Sequence, residues 1–160
     1  MPQWSARPLR TAALVFFDLE TTGLRPDRGA WICEMAVVDR RGVRFDWESE
    51  SPPPSDAAVA RRLPELIEHL QNGIVVGHNL SFDFRFLTYE TERLGLGGID
   101  VRFTDTLGLA RQVLPDRETH QLGTLLTEFG AAPVEELHTA VGDALATRAL
   151  FWHLVDAGGW

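Results

Sequence analysis

The sequence predicts an α/β sandwich, in which a mixed five-stranded sheet carries helices on both faces. The first third of the chain contains two apolar runs and a more polar run separated by turn residues, which is typical of an antiparallel meander. The middle then alternates helical patterns with short apolar runs, and the end contains only helical patterns. With 160 residues and no repeat or low-complexity tract, residues 1–160 are expected to form one domain.

The predicted meander occupies the start of the chain. Residues 1–11 are expected to form a loose arm, and residues 12–18 the first strand. A second strand over residues 31–39 is apolar on both faces, which indicates a central position in the sheet. A hairpin turn at residues 40–42 then leads to a third, more polar strand over residues 43–48.

Helices dominate the rest of the chain. An amphipathic pattern over residues 57–71 predicts a helix, and Pro64 inside it predicts a break or a restart. Ser81 is the expected N-cap of a helix over residues 82–94. The remaining expected elements are strands over 74–77 and 99–104, a helix capped by Asp105 and ending near 114, and helices over 121–129 and about 140–156.

Two acids directly follow the first apolar run. Because side chains alternate along a strand, Asp18 and Glu20 project from the same face at the end of that strand. Close carboxylates repel each other, and no basic residue occurs until Arg25. A divalent cation between the two acids is one interpretation, because hard cations take carboxylate oxygens. A turn cap or a solvated acid is the other interpretation.

Two later stretches, HNLSFDFRFL and HTAVGDALATRALFWHL, also carry acids. Asp83 is expected in the first turn of a helix, where the helix dipole favours an acid whatever its function. Asp143 is expected near the start of the last helix, after His138. Their spacing corresponds to about 140° around a helix, so both can face one point only if His138 precedes a helix capped by Thr139. A solvated histidine is the alternative.

The charge of the chain restricts its partners. Acids outnumber bases by 23 to 15, all 15 basic residues are Arg, and the net charge is −8. Proteins that grip a long duplex usually carry a basic face, so a nucleic-acid substrate is expected to be held by a short end. The single cysteine, Cys33, excludes an internal disulfide and a Cys-based zinc site. Without a long apolar run, no membrane partner is expected, and the expected location is cytoplasmic.

Taken together, the three acidic stretches resemble the motifs of the DnaQ-like 3′–5′ exonucleases of the DEDDh type, the family of the proofreading epsilon subunit of bacterial DNA polymerase III. Residues 14–24 match the first motif, 78–87 the second and 138–151 the third. The resemblance implies a ribonuclease H-like fold, which agrees with the predicted strand order. It also implies a metal-dependent exonuclease that releases nucleoside 5′-monophosphates from single-stranded 3′ ends, with DNA favoured over RNA.

The resemblance implies a role for each motif residue. Two Mg²⁺ or Mn²⁺ ions would be held by the four carboxylates of Asp18, Glu20, Asp83 and Asp143. The attacking water would be oriented and deprotonated by His138. The terminal nucleotide would be held by the loop residues Thr21, Thr22, Gly23 and Leu24.

The chain also departs from the family pattern. Residues 49–73 lack the Ile-His-Gly-Ile-Thr-like loop of many members, which leaves strand preference and base discrimination open. The chain ends at Trp160, so a polymerase-binding tail and service as a tethered proofreader are not expected. Glu34 in the second strand is expected to bond the Thr-Thr-Gly loop, with a merely capped or edge position as the alternative. The five tryptophans are expected to be structural, with homodimer contacts as the alternative.

Three other functions compete with a DNA exonuclease. A phosphatase of the haloacid dehalogenase type needs Asp-x-Asp and a later Lys, whereas this chain has Asp-x-Glu and no Lys. A binding module without activity would keep an idle carboxylate cluster, which is costly for stability. An RNA-end trimmer or oligoribonuclease of the same family suits the acidic charge as well as a DNA exonuclease does.

Overall fold

The computed structural model describes residues 6–131 and 138–160, and it contains a mixed five-stranded sheet. The strands are β1 (Leu14–Thr21), β2 (Ile32–Asp39), β3 (Gly42–Glu48), β4 (Ile74–Gly77) and β5 (Phe103–Asp105). Their order across the sheet is β3-β2-β1-β4-β5. The β1–β2 and β2–β3 pairs are antiparallel, whereas β4 runs parallel to both β1 and β5. The predicted fold class, α/β with a mixed ribonuclease H-like sheet, is confirmed.

Helices cover both faces of the sheet, as predicted. Their bounds are α1 (Ala6–Thr11), α2 (Asp56–Gln71), α3 (Leu80–Arg93), α4 (Thr106–Val113), α5 (Leu122–Glu128) and α6 (Ala140–Gly158). Helices α2 and α3 pack on one face, and α6 packs on the other with α1 and α4 at its sides. A third cluster joins α4, α5 and α6 to one another. None of the helices in the described residues has the length and apolar character needed to cross a bilayer.

The alternation of β1 decides where its acids point. Val15, Phe17 and Leu19 pack on the face covered by α2 and α3. Leu14 and Phe16 pack on the face covered by α6. Asp18 and Glu20 continue this second set, because residues two apart share a face. The two acids are therefore directed toward the side of the sheet that carries α6.

Three local predictions are wrong. The loose arm was expected over residues 1–11, of which residues 1–5 lie outside the described residues, and residues 6–11 form helix α1 instead. Leu9 packs this helix onto the α6 face, and an Arg10–Asp156 ion pair of 2.7 Å joins it to α6. Helix α2 continues through Pro64, because Pro64 is exposed and the opposite face of the helix is buried. That burial outweighs the loss of one backbone hydrogen bond, which costs about 3 kcal/mol.

Ser81 is not the N-cap of α3. The helix begins at Leu80 after Asn79, which has a left-handed backbone with φ of 68°. The N–H groups of Asn79 and Leu80 donate to the two carboxylate oxygens of Asp105, at 2.9 and 2.8 Å. Ser81 instead donates its hydroxyl to the side-chain oxygen of Asn79 at 3.2 Å. A residue 26 positions away from Asn79 in the chain therefore caps this helix.

Two strand boundaries also differ from the prediction. Strand β1 extends to Thr21 rather than stopping at residue 18, because β2 pairs with it as far as Ile32. Glu20 therefore lies inside the strand and not beyond it, and Asp18 lies inside it as expected. Strand β5 is shorter than expected, and only Phe103–Asp105 pair with β4, because β4 itself begins at Ile74 and offers no partner to most of the residues before Phe103.

Candidate active site

Three carboxylates meet at one end of the sheet. Asp18 and Glu20 come from β1, and Asp143 comes from the first turn of α6. Each offers one oxygen, and these oxygens all lie within 4.8 Å of one another. Helix α6 begins just before Asp143, because the Thr139 hydroxyl oxygen caps it by accepting the N–H of Gly142 at 3.0 Å. The fold thus brings together two motifs that are more than 120 residues apart in the sequence.

Asp83 reaches the same region from the other face of the sheet. It lies on α3, is 4% exposed, and its Oδ1 accepts the N–H of Leu19 at 3.1 Å. Strand β4 pairs with β1 only as far as Phe16, so this N–H has no strand partner. The Asp83 oxygens lie outside the 4.8 Å group, although its charge acts on Asp18. The structure therefore places three of the four predicted carboxylates in one cluster and the fourth beside it.

The electrostatics of the cluster disfavour ionisation. Burial, followed by the charges of Asp83 and Asp143, raises the pKa of Asp18 well above its usual range. Burial also raises the pKa of Asp83 to about 8, against the opposing effect of the Leu19 N–H. The pKa of Glu20 is raised by burial and then by Asp143, whereas the charge of His138 lowers it. Without a counter-ion, this cluster carries charge that the folded protein tolerates poorly.

The cluster fits a divalent cation. The Oδ2 atom of Asp18 is buried and has no hydrogen-bond partner among the described residues. A buried carboxylate oxygen without a donor is costly unless a cation occupies the remaining position. No Arg pairs with Asp18, Glu20 or Asp143 in the described part of the chain. An all-oxygen donor set is the one that Mg²⁺ and Mn²⁺ prefer.

His138 lies where the sequence expected it, in the loop before α6. Its side chain is exposed, and its backbone N–H donates to Oδ1 of Asp143 at 3.2 Å. Its backbone is left-handed, with φ of 79°, which turns the chain sharply into the helix. Thr139 is the N-cap, as predicted. The imidazole is therefore presented at the rim of the carboxylate cluster, with its neighbour Asp143 fixing the position of the main chain.

The loop after β1 is organised by its own threonines. The hydroxyl of Thr21 donates to the carbonyl of Gly23 at 2.8 Å, and the Thr22 hydroxyl oxygen accepts the N–H of Trp31 at 3.0 Å. A Cβ atom on Gly23 would lie 3.3 Å from the Cβ of Ala30, so a larger residue would crowd the loop. Leu24 is 75% exposed. Leu24 is consequently the residue of this loop that offers a free apolar surface next to the cluster.

Glu34 does not bond the Thr-Thr-Gly loop as the sequence analysis expected. Its Oε2 accepts the N–H of Ala140, the first residue of α6, at 2.9 Å. Glu34 pairs with Glu20 across the β1–β2 ladder, which brings its carboxylate under the start of that helix. An acid at this position is favoured by the unpaired N–H groups and the dipole of α6. Glu34 therefore helps to fix the helix that carries Asp143.

Two further residues hold the site, and sequence reasoning missed their roles. Asp105 was expected only to cap α4, which it does by accepting the N–H of Leu107 at 2.9 Å. Through Asn79 and Leu80 it also anchors the start of the helix that bears Asp83. His78 contacts the Thr106 hydroxyl and the carbonyl of His120, both at 2.9 Å. The signal for His78 was its place in the second motif, whereas Asp105 had none beyond its helix cap.

An open groove leads away from the cluster. It lies between α5 and the start of α6, and it is lined by Gln121, Leu122, Gly123, Thr124, Thr127, His138 and Asp143. Its walls are mostly polar or small. The groove therefore gives an extended polar ligand a path to the carboxylates beside His138.

Known proteins resemble this chain over most of its length. The RNase_T family model, described as an exonuclease family, matches residues 48–151. The DNA polymerase III PolC-type protein of Listeria welshimeri is 43% identical over 168 residues, which cover 92% of this chain and 12% of that protein. The PolC-type protein of Streptococcus suis is 35% identical over 170 residues, 93% of this chain and 12% of that protein. The chain thus spans about 12% of the length of the curated relatives it matches.

Solved structures share the fold. Exonuclease X in complex with 5′ overhanging duplex DNA has a TM-score of 0.63 at 23% identity, covering 92% of this chain and 93% of that chain. Brucella melitensis NrnC with bound Mg²⁺ has a TM-score of 0.62 at 18% identity, and the match covers 99% of this chain and 80% of that chain. The structure of the same protein bound to pGG has a TM-score of 0.61 at 18% identity, and the match covers 98% of this chain and 77% of that chain. Because the family model covers well over half of the residues, this DnaQ-like chain belongs to the RNase_T exonuclease family.

Proposed function

We propose that this domain is a two-metal 3′–5′ exonuclease that removes nucleoside 5′-monophosphates from single-stranded ends, with DNA as the favoured substrate. The observation that carries the proposal is the cluster of Asp18, Glu20 and Asp143, whose ligand oxygens lie within 4.8 Å of one another. The unpartnered Oδ2 of Asp18 supports a cation in that cluster. Membership of an exonuclease family supports phosphodiester hydrolysis as the reaction.

Four carboxylates would hold the metal ions. Asp18, Glu20 and Asp143 already converge, and Asp83 lies beside Asp18 with one oxygen committed to the Leu19 N–H. When bound, Mg²⁺ or Mn²⁺ would supply the positive charge that stabilises the attacking and leaving oxygens of the phosphate. The Mg²⁺ that NrnC carries supports the same choice of metal here.

The remaining residues of the site act on water and on the terminal nucleotide. His138 presents an imidazole at the rim, and an imidazole can accept the proton of the attacking water near neutral pH. Leu24 would pack against the terminal base, since it is the exposed apolar side chain of its loop. Thr21, Thr22 and Gly23 would act mainly by shaping that loop, because both hydroxyls are used within it.

DNA is the favoured substrate because the curated relatives are DNA polymerases. Short RNA is the second candidate, and the fold shared with NrnC, which binds pGG, supports it. The net charge of −8 suits a short single-stranded end in either case. The cytoplasmic location and the homodimer contacts expected from the sequence stay predictions.

The test uses 5′-labelled single-stranded DNA and RNA oligomers of the same sequence. We expect a ladder that shortens from the 3′ end in Mg²⁺ or Mn²⁺, with faster digestion of DNA, and no digestion in EDTA. Asp143→Asn should abolish the ladder, because it removes a charge from the cluster while keeping the shape of the side chain. Asp46→Asn, an exposed change on β3, is the matched control.

Two results would contradict the proposal. Absence of a metal-dependent ladder on both substrates would exclude an exonuclease. Full activity of Asp143→Asn would show that the reaction takes place elsewhere on the protein. Faster digestion of RNA than of DNA would instead select the second candidate.

A further inference from the structure

A second cavity lies at the opposite end of the sheet from the carboxylate cluster. Strand β1 begins at this cavity with Leu14, and Asp18 follows about 13 Å further along the strand. The cavity has a volume of about 350 Å³. The charged and aromatic residues of its wall lie on α1, on the β2–β3 turn, on β3, on α2 and on α6. They are Arg10, Arg40, Arg41, Arg44, His69 and Trp152.

Some of the arginine side chains at this cavity have no acidic partner in the described residues. Arg10 is neutralised by Asp156 at 2.7 Å, and Arg44 lies 3.5 Å from Oδ2 of Asp39. The Oδ1 atom of Asp39 accepts the backbone N–H groups of the turn, at 2.7 Å from Arg41. The guanidinium groups of Arg40 and Arg41 have no ion pair or hydrogen bond within residues 6–131 and 138–160. Two guanidiniums without an acidic partner in the described residues therefore lie at one cavity.

The floor of the cavity is apolar. Leu14, Phe16 and Val37 lie beneath it at the ends of β1 and β2, but they are 8%, 2% and 0% exposed and offer a ligand almost no surface. The half-buried Trp152 lines the cavity as well, with the Arg10 guanidinium 5.3 Å from the centre of its ring. The lining thus combines one half-buried aromatic ring with several charged and polar groups, and a volume of about 350 Å³ lies within the range of small-molecule sites. A bare phosphate ion would use the guanidiniums but leave Trp152 uncovered.

We propose that this cavity binds a phosphate-bearing nucleotide. The phosphate would contact Arg40 and Arg41, because guanidinium groups bind phosphate oxygens through paired charge-assisted hydrogen bonds. The base would lie against Trp152, the half-buried aromatic residue of the lining. The ligand is either a free mononucleotide or one nucleotide of a nucleic-acid strand. The inference is independent of the exonuclease proposal, since none of these residues belongs to the carboxylate cluster.

Calorimetric titrations in EDTA test this site separately from the carboxylate cluster, because without metal the cluster repels phosphate. The probes are inorganic phosphate, AMP and an eight-residue thymidine oligomer. We expect saturable binding of AMP with a Kd below about 1 mM. The double variant Arg40→Gln/Arg41→Gln should weaken that binding at least about tenfold, through the loss of two charge-assisted contacts. Arg61→Gln, an exposed single change on α2, should leave it unchanged.

The oligomer distinguishes the two sources of the phosphate. Tighter binding of the oligomer than of AMP, with a log–log salt slope near −1.4 for about two phosphate contacts, would identify a nucleic-acid strand. Equal or tighter binding of AMP would identify a free nucleotide. Inorganic phosphate should bind more weakly than AMP, because it has no base to pack against Trp152.

Two results would overturn the inference. One is the absence of saturable binding of AMP and of the oligomer to the wild-type protein. The other is equal binding by the wild type and the double variant, provided that circular dichroism melts show both to be folded. Both substituted side chains are exposed and lie on a turn, and the turn is held by backbone bonds to Asp39, so the double variant is expected to fold.

Discussion

Replacement of Asp83 by Asn should stabilise the metal-free protein at pH 8. Asp83 is 4% exposed, and burial raises its pKa to about 8 from 3.8. Between these two values the folded protein binds more protons than the unfolded chain does. The free energy of unfolding of the metal-free protein therefore falls as the pH rises through this range. Asn cannot ionise, so the variant should not show this part of the pH dependence.

The expected gain in the free energy of unfolding has an upper limit, and a cost of burying the new amide reduces it. A pKa change from 3.8 to about 8 corresponds to at most about 6 kcal/mol above pH 8. The Asn carbonyl can still accept the Leu19 N–H, but its amide buries a new donor, which costs about 1–3 kcal/mol when unsatisfied. We expect a net gain of about 1–4 kcal/mol at pH 8, and each kcal/mol raises Tm by about 2–4 °C in a domain of this size.

Circular dichroism melts in EDTA at pH 5 and pH 8 measure the effect, with Asp46→Asn as the exposed control. The gain should appear at pH 8 and largely vanish at pH 5, where Asp83 of the wild type is protonated. Addition of Mg²⁺ should raise Tm more in the wild type than in Asp83→Asn. If Asp83→Asn melts at or below the wild type at pH 8 while the control matches it, the carboxylate stabilises the fold through Leu19, and the reasoning is refuted.

Substitutions at three other positions test Asp105 and Glu34 as supports of the site and His138 as its base. Asp105→Ala should lower the free energy of unfolding by about 2–4 kcal/mol in urea titrations, because three N–H groups lose a charged acceptor; a loss below that of Asp105→Asn would contradict this role. Glu34→Gln should melt close to the wild type, because it can still accept the Ala140 N–H, whereas Glu34→Ala should lose about 1 kcal/mol. His138→Asn, which suits the left-handed backbone better than Ala, should lower turnover about 10²–10⁴-fold. Calorimetry should show unchanged Mg²⁺ affinity for that variant, and a lost affinity would make His138 a metal ligand.

Local sequence patterns predicted most of the secondary structure and the direction of several site residues. Strand alternation was sufficient to put Asp18 and Glu20 on one face, and helix geometry was sufficient to require His138 in the loop before α6. Both deductions depend only on residues close in sequence, for which backbone geometry sets the direction of the side chains. The order of strands and helices also followed from hydrophobic periodicity, which reports which face of each element is buried.

The failures share a different cause. Pro64 and the N-terminal arm were judged from local preference, but burial of α2 and the Arg10–Asp156 ion pair decided the outcome. Ser81 had the right residue type for a cap, yet Asp105 from a neighbouring element took the backbone donors. In each case a tertiary contact outweighed a local propensity of at most a few kcal/mol.

The sequence by itself determined the fold class and the succession of strands and helices along the chain, because these follow from short-range periodicity. The acidic motifs were identified by their resemblance to a known family. Only the tertiary structure decided that Asp83 would reach the free N–H of Leu19 and that Glu34 would support the start of α6. The same is true of the cavity at Arg40 and Arg41. These contacts join residues 64 and 106 positions apart, and their geometry depends on where the sheet ends and how the helices pack on it.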